Sequence, residues 1–478
     1  MSGRDFIELD SLFYPKNVAF VGASPKGGSR GNRFMQAYIG QNFKGKIFPV
    51  HPNAENVLGF SSYKRVRDIP DPVDLVIFAI PFTSVLPVIR DCVEKGVKFV
   101  HLYTAGFSET GRQENILLEK EVIKIAKQGG VRLVGPNCMG IYCPEGRVSW
   151  SGDFPVEPGP VGFVSQSGQL AGHFIGEAGS YGLRFSKAVS FGNASDLQAH
   201  DFFNYLAQDE KTKIIGSYLE GLKDGRSFFE FAKGITRTKP LVVWKGGMTE
   251  GGSRAAQSHT ASIAGSSKIW KSMCRQVGVI SVESMEELVA TISALKRMEL
   301  PGGNKAAIIG GAGGGSVTMT DTAEKEGLKV PPLSDESISA FQEFVPIAGT
   351  SVKNPLDIGG AFFRSGPDKL MTLYEILRED PNIDALIFSQ RMVRFGGREV
   401  RGIMDLIVKN TLEGMKLLKK PIFVVLGSGD SLESEALHQE AQQKYNAADI
   451  ATFPSFQLAA RVMSKMAAYK EYLNSSPS

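Results

Sequence analysis

His259 sits in GGMTEGGSRAAQSHTASIAG, a segment built almost wholly from small and polar residues. Segments of this composition rarely form core. Imidazole is a competent nucleophile because its neutral form is abundant near pH 7. A phosphoryl carrier needs that property and a way to move between donor and acceptor, and a His on a Gly-rich loop supplies both. Composition alone favours a plain surface histidine. Two further segments bear on the choice. SQSGQLAG (165–172) follows an apolar run and opens a helical stretch. Backbone N–H groups of Gln166, Ser167 and Gly168 could there cradle a phosphate, with the helix start favouring its charge. An ordinary Ser N-cap is the alternative. Glu220 ends the run IIGSYLEG. A carboxylate on one imidazole nitrogen fixes the tautomer and leaves the other nitrogen to attack; a solvated strand-end acid is the plainer reading.

The elements that must position these residues follow one pattern. Short β-branched runs alternate with longer helix-like stretches. Candidate strands are 18–22, 46–50, 74–80, 98–105 and 132–137, then 160–166, 185–191, 214–221, 240–246 and 277–282, then 305–311, 384–390, 421–427 and 450–454. Several are near-continuous apolar runs, as in parallel strands covered on both faces. Alternation with helices implies βαβ units and doubly wound α/β sheets. Pro/Gly-rich breaks at SGDFPVEPGP (151–160) and ELPGGN (299–304) divide the chain into domains of 1–150, 151–300 and 301–478. Ligands of such sheets bind beyond the carboxyl ends of the strands.

Those turns are glycine-rich in the first domain. VAFVGASPKGGSRGNRF places Gly22, Ser24, Gly27, Gly28 and Gly31 between a strand and a helix. Glycine lets backbone N–H groups approach a phosphate, although the strict GxGxxG spacing is absent. The second strand, GKIFPVHPN, carries no acid for a nicotinamide ribose. It offers Lys46, His51 and Asn53, which suit a ligand with several phosphates, such as CoA. Further turns read AIPFTSV, where Pro81 stops the strand, YTAGFSETG with Glu109 before a helix, and GPNCMGI with Asn137 and Cys138 at its edge.

Bulk properties exclude several classes. The 478 residues exceed one core. The net charge of +4 is dispersed, with no Lys/Arg block, which argues against a nucleic-acid partner. Four cysteines, Cys92, Cys138, Cys143 and Cys274, show no metal spacing. No apolar run is long enough for a membrane span, and the first residues do not read as a signal peptide. A reduced, cytoplasmic location is expected.

Taken in order, GASPKGGSRG, GKIFPVHPN, IPFTSV, TAGFSETG, GPNCMG, VGFVSQSGQLAG, YLEGLKDGR, VVWKGGMTEGGSRAAQSHTASIAG and NPLDIGG resemble the NDP-forming acyl-CoA synthetases, the superfamily of succinyl-CoA synthetase. The likeness is greatest to the alpha subunits of ADP-forming acetate–CoA ligases. It implies a Rossmann-like CoA-binding domain followed by two flavodoxin-like doubly wound domains. It implies reversible conversion of carboxylic acid, CoA and ATP to acyl-CoA, ADP and phosphate, through an acyl phosphate and phospho-His259, with Glu220 contacting that histidine. Phosphate contacts fall to Gln166, Ser167 and Gly168. CoA contacts fall to Gly22, Ala23, Ser24, Gly28, Lys46, Asn53, Pro81, Ala105, Gly106, Asn137 and Cys138. The other histidines, His51, His101, His173, His200 and His438, lie in no matching catalytic motif. The three domains leave no room for the ATP-grasp domain this chemistry needs, so ATP, ADP and Mg2+ are expected on a separate beta subunit in an α2β2 assembly. The third domain departs from the family's TNAGGPG-like turn: Gly310, Gly311 and Gly315 replace its Thr, Asn and Pro. Two competing classes are a non-catalytic CoA-binding scaffold of the same fold, which gives no reason to keep Glu220, SQSG and SHTASIAG together, and a nicotinamide dehydrogenase, which the second strand disfavours.

Overall fold

The computed structural model describes residues 8–222, 224–254, 266–310, 313–345, 350–358, 367–390, 400–427 and 431–475; His259 and Gly311 lie outside them. The chain divides into two compact units, Met1–Met285 and Glu286–Ser478.

Among its described residues the first unit contains two large sheets and a two-stranded antiparallel pair, Asn56–Val57 with Phe60–Ser61. Strands β1 (Asn17–Val21), β2 (Lys46–Val50), β3 (Leu75–Phe78), β4 (Phe99–Leu102) and β5 (Arg132–Val134) form a parallel sheet in the order β2-β1-β3-β4-β5. Their residues alternate between two apolar layers, which is why the runs read as continuously hydrophobic. Ala19, Val21, Val76, Phe78, Val100 and Leu102 share a core with Ile89 and Cys92 of α2 (Val85–Lys95) and Val122 and Ala126 of α3 (Gln113–Gln128). On the opposite face Phe20 meets Tyr38 of α1 (Arg30–Gly40) edge to face at 5.1 Å. The chain leaves β1 for β2 on one side and then crosses to β3 on the other. That reversal opens a crevice beyond the carboxyl ends of β1 and β3.

The second sheet has the order β11-β10-β9-β7-β8-β6, from β6 (Gly140–Tyr142), β7 (Pro158–Ser165), β8 (Phe185–Ser190), β9 (Ile214–Leu219), β10 (Leu241–Lys245) and β11 (Ile280–Val282). All neighbours are parallel except the edge pair β6–β8. β6 was not expected: three residues carry no periodic signal, and this strand directly follows the GPNCMG turn of the first sheet. Its helices include α4 (Gly168–Ser180), α5 (Ala199–Gln208), α6 (Gly225–Ile235) and α7 (Ser267–Val277). The reversal of strand order falls between β7 and β9.

A buried carboxylate fastens the two sheets. Asp196, at the end of the loop after β8, accepts from Arg132 Nε at 2.9 Å and Nη2 at 3.0 Å and from the Leu133 backbone N–H at 2.8 Å. Burial pushes its carboxyl up, but the Arg132 bonds outweigh that and hold it below the ordinary range.

In the second unit, β12 (Ala306–Ile309), β13 (Ala385–Ser389), β14 (Ile422–Val425) and β15 (Thr452–Phe453) run parallel in that order. Ala307, Ile309, Leu386, Phe388, Ile422 and Val424 belong to one core, and their neighbours Ala306, Ile308, Ala385, Ile387, Phe423 and Val425 belong to another. The first core contains Leu373 and Tyr374 of α11 (Pro367–Glu379), Met404 of α12 (Val400–Leu418) and Leu437 and Tyr445 of α13 (Leu432–Ala447). The second contains Ala290 of α8 (Met285–Arg297), Ala323 of α9 (Gly314–Lys325) and Val462 of α14 (Phe456–Asn474), while Phe341 of α10 (Asp335–Gln342) joins the first. Helices therefore cover both faces. Every run named as a candidate strand contains an observed strand.

Candidate functional site

Because the first sheet is parallel, the turns after β1, β2, β3, β4 and β5 share one edge. Gly22, Ala23, Ser24, Asn53, Pro81, Ala105, Gly106, Asn137 and Cys138 all lie in those turns. The turn after β1 is tightly determined. Gly22 has φ 102°, and a Cβ there would stand 2.3 Å from the Ala79 carbonyl oxygen at the end of β3. Gly31 lets α1 start directly on the turn, since its Cβ would stand 2.4 Å from Ala23 N. Gly27 and Gly28, at φ 72° and 70°, have nothing within 4 Å of a Cβ position, so the loop keeps an open face. Asn32, 1% exposed, locks the loop: its Oδ1 accepts from Ser24 N at 2.6 Å and its Nδ2 donates to Ser24 O at 2.9 Å. Ser29 caps α1 through Asn32 N and donates to Gly22 O at 3.0 Å. The S-x-x-N spacing was a readable signal for this lock, and sequence reading missed it.

The other turns on this edge are held as firmly. His51 Nδ1 accepts from Asn53 N at 3.2 Å and Ala54 N at 3.0 Å, shaping the turn after β2. Glu109 Oε1 accepts from Gly106 N at 2.5 Å and Phe107 N at 3.1 Å, while its Oε2 accepts from Asn193 at 2.6 Å. Asn137 takes φ 56° and donates its N–H to Thr104 O at 3.1 Å. Its side-chain amide makes no hydrogen bond to other described residues, so it is open to a ligand. Cys138 is 3% exposed, and burial pushes its thiol well above the ordinary range. It is a packing residue in its protonated form. Beneath it, His101 Nε2 lies 3.2 Å from Cys138 O, and burial holds that imidazole down at about 4.

Lys46 does not join this group. It is the first residue of β2, paired with Asn17 at the amino end of β1, and its Nζ bonds Asp71 at 2.7 Å. The expected CoA contact from Lys46 is corrected on that ground: the side chain is at the opposite edge of the sheet, and its charge is matched by Asp71.

The phosphate-type turn follows β7, at the strand-order reversal of the second sheet. Ser167 caps α4, its Oγ accepting from Leu170 N at 3.3 Å. That bond serves the third N–H of the helix. The N–H groups of Gly168 and Gln169 precede it and have no carbonyl within the helix to bond. Gln166 does something other than expected. Its backbone N–H is taken by Tyr218 O at 3.0 Å. Its side-chain Oε1 instead accepts from Glu220 N at 2.9 Å and Gly221 N at 3.2 Å. The N–H groups left available at this turn are therefore those of the first helical turn, and Gln166 ties the end of β9 to the end of β7.

Glu220 stands half-buried at that tie. Its Oε1 lies 3.5 Å from Tyr218 OH, and burial keeps that phenol protonated, so the tyrosine faces the carboxylate as a donor. Lys245, at the end of β10 and 8% exposed, donates to Glu220 O at 2.6 Å and Gly246 O at 2.7 Å. Burial lowers its ammonium, partly offset by the Glu220 charge. Sequence reading missed Lys245; a lysine closing the apolar run LVVWK was the available signal, because lysines inside such runs are rarely buried without a task.

The two turns meet. A Cβ on Gly168 would stand 2.6 Å from Met139 Cγ, and Met139 N donates to Ser190 Oγ at 3.1 Å. Gly192 packs on the same turn, its Cβ position 2.4 Å from Asn137 O, and Asn193 N donates to Pro136 O at 3.0 Å. Asn137 and Met139 thus abut the start of α4. Along one line run the GPNCMG turn, the start of α4 after β7, Glu220 after β9 and Lys245 after β10. Neighbouring strands are spaced ~4.8 Å, so the start of α4, Glu220 and Lys245, which follow the adjacent strands β7, β9 and β10, fall within about 10 Å. Among the described residues no three His, Cys, Asp or Glu side chains group to hold a metal ion, and no helix is long and apolar enough to cross a membrane.

Comparison with known proteins bears on this geometry. Residues 16–144 match the family model described as a CoA binding domain, 158–295 that of the succinyl-CoA ligase like flavodoxin domain, and 306–460 that of the Ligase-CoA domain. The chain is 39% identical to the acetate–CoA ligase (ADP-forming) II subunit alpha of Pyrococcus furiosus, over 81% of this chain and 84% of that protein. It is 37% identical to acetate–CoA ligase (ADP-forming) II of Archaeoglobus fulgidus, over 80% of this chain but 57% of that protein. Among solved structures, the dinucleotide forming acetyl-coenzyme A synthetase 1 of Ca. Korarchaeum cryptofilum, in complex with phosphate and ADP, superposes with a TM-score of 0.83 at 32% identity, covering 98% of each chain.

Proposed function

The chain belongs to the ADP-forming acyl-CoA ligases as a chain of the alpha type, and from that premise we propose that it makes and breaks a CoA thioester through an acyl phosphate, with His259 carrying the phosphoryl group. The observation that carries this reading is the contact of Gly168 with Met139, which sets the open Asn137 amide beside the unpaired N–H groups of α4. A thioester held along the first sheet's edge then reaches an anion held at the second sheet's helix start.

In the thioester-breaking direction, a phosphate oxygen attacks the acyl carbonyl, the C–S bond breaks, and CoA leaves as the thiolate. A ring nitrogen of His259 then attacks the phosphorus of the acyl phosphate, and the acid departs as carboxylate. Glu220 accepts a hydrogen bond from the N–H of the other ring nitrogen, fixing the tautomer and stabilising the positive charge the ring carries after attack. The α4 start stabilises the transferring phosphoryl by ~0.3–2 kcal/mol, and most of the remaining catalysis is positioning. Gly22–Ser24, Gly28, Asn53, Pro81, Ala105, Gly106 and Asn137 line the CoA path, with the buried Cys138 packed behind them.

The nucleotide is held elsewhere. The chain spans 57% of acetate–CoA ligase (ADP-forming) II of A. fulgidus, and the similar protein of P. furiosus is named a subunit alpha. Both facts support an ATP-grasp beta chain that supplies ADP, ATP and Mg2+ in an α2β2 assembly, in the cytoplasm. Incubating the purified chain with acyl-CoA and phosphate, without nucleotide, should release one CoA per chain and then stop. Sustained turnover should need ADP, Mg2+ and the partner. Sustained ATP hydrolysis by this chain alone would contradict the proposal.

A further inference from the structure

One cavity of the first unit is not accounted for by the CoA turns or the α4 start. About 600 Å³ of space opens between α6 and α7, beside the end of β10. Its walls are mostly apolar, with Phe229, Met248, Ile269, Trp270 and Met273 contributing, and Ser266 and Gln276 also line it. Its polar end is Lys245, with Arg226 at the rim, and no Asp or Glu lines it among the described residues. The space lies within the ~300–1,000 Å³ range of small-molecule sites.

Three observations say what it takes. The first is charge. Lys245 is 8% exposed, and among the described residues its Nζ donates to the carbonyls of Glu220 and Gly246. An ammonium has three donors, so one N–H remains for the cavity, and a carboxylate is its natural partner. The second is shape. Trp270 is 7% exposed, stacked on Phe228 with ring centroids 5.8 Å apart, and its Nε1 donates to Ser281 Oγ at 2.9 Å. Its polar atom is spent inside the protein, so the ring offers the cavity a fixed apolar wall. The third is exposure. Ile269 is 70% exposed, an unusual position for a large aliphatic side chain beside a cavity, and an apolar occupant would cover it. The cavity is also in the right place. Lys245 bonds the backbone of Glu220, so a carboxylate on Lys245 lies one strand from the proposed phosphohistidine partner.

We propose that this cavity is the acid subsite: it takes a carboxylic acid with an apolar body of about phenyl or branched-chain size, its carboxylate on Lys245 and its body between Phe229, Trp270 and Met273. The inference rests on the ligase reading and adds the substrate class to it. Acetate would leave most of the space unfilled. The carboxylate released from the acyl phosphate would be received by Lys245 as the P–O bond breaks, and in the opposite direction it would be presented to the phosphoryl group.

Phenylacetate and acetate serve as probes. Calorimetric titration of the full chain should show phenylacetate binding at least about tenfold tighter than acetate, a difference of ~1.4 kcal/mol. Phosphate-dependent CoA release should likewise favour phenylacetyl-CoA over acetyl-CoA. Met273→Trp fills the cavity from α7. It should slow phosphate-dependent CoA release from phenylacetyl-CoA by about 10–100-fold relative to that from acetyl-CoA, as pocket discrimination allows. Ile269→Glu changes an exposed position that tolerates substitution, and its new carboxylate should repel phenylacetate and weaken its binding. Equal effects of Met273→Trp on both thioesters, or none on either, would overturn the subsite while leaving the ligase reading intact. Phenylacetate binding that is lost in Met273→Trp, in a chain that consumes no thioester, would uphold the subsite and refute the ligase reading. Loss of beta-chain association with unchanged thioester selectivity would show a protein-docking face and overturn the subsite.

Discussion

The turn after β7 and the turn after β12 follow the same plan, a buried parallel strand running into a glycine-rich helix start, yet they are built differently. After β7, Ser167 caps the helix, Gln166 reaches across to β9, and Met139 packs on Gly168. After β12, Gly310 takes φ 112° against the Ser389 carbonyl, Gly313 takes φ 53° with no side-chain cap, and Gly313, Gly314 and Gly315 have nothing within 4 Å of their Cβ positions. Asp357 reaches in, accepting from Gly313 N at 3.1 Å. The first turn is over-determined by neighbours, which is what a site for charge transfer requires. The second offers backbone with few side chains, and Gly310, standing where the resembling turn has Thr, carries no polar side chain there.

The contrast can be broken from its packed side first. His101 lies beneath the GPNCMG turn, and a Cβ on Gly140 would stand 2.4 Å from its ring. Burial lowers this histidine from 6.5 to about 4. As pH falls, the unfolded chain binds the proton first. Stability is therefore intact above about pH 6.5 and is lost as pH falls toward 4, by up to roughly 3 kcal/mol. Denaturant melts of His101→Gln should lack this slope relative to the wild-type chain.

Glu220→Gln comes next. It keeps shape but removes the charge facing the imidazole, and phosphorylation from acyl-CoA and phosphate should slow about 10–100-fold, the usual cost of losing an orienting partner. Gln166→Ala leaves the Glu220 and Gly221 N–H groups without that acceptor, at a cost of about 1–3 kcal/mol, and should slow the same step less than Glu220→Gln does. The smallest effect belongs to the open turn. Gly315→Ala meets nothing and lies within α9, so it should stabilise the chain by about 0.5–1 kcal/mol and leave phosphorylation unchanged.

How far the sequence speaks for itself differs between these layers. The strands were legible because burial on both faces leaves a continuous apolar run, and the glycine turns were legible because backbone at φ near 70–110° selects Gly. Side-chain roles that depend on which strand lies beside which were not. Gln166 reads as part of a helix start until β9 is known to neighbour β7. Lys245 reads as a strand end until the Glu220 carbonyl is seen above it. Lys46 belonged to a motif that names a strand, and only the register with Asn17 shows that it begins the strand and faces away from the crevice. β6 was hidden because its pairing partner, β8, comes almost fifty residues later, and its register Tyr142↔Ala188 is set by the tertiary fold.

The central claim is that a thioester and phosphate meet at one helix start and pass a phosphoryl group to His259. Incubation of the chain with acyl-CoA and radioactive phosphate, without nucleotide, measures it most directly. The account predicts an acid-labile, base-stable label that is absent from His259→Ala. Equal labelling of wild type and His259→Ala would contradict it.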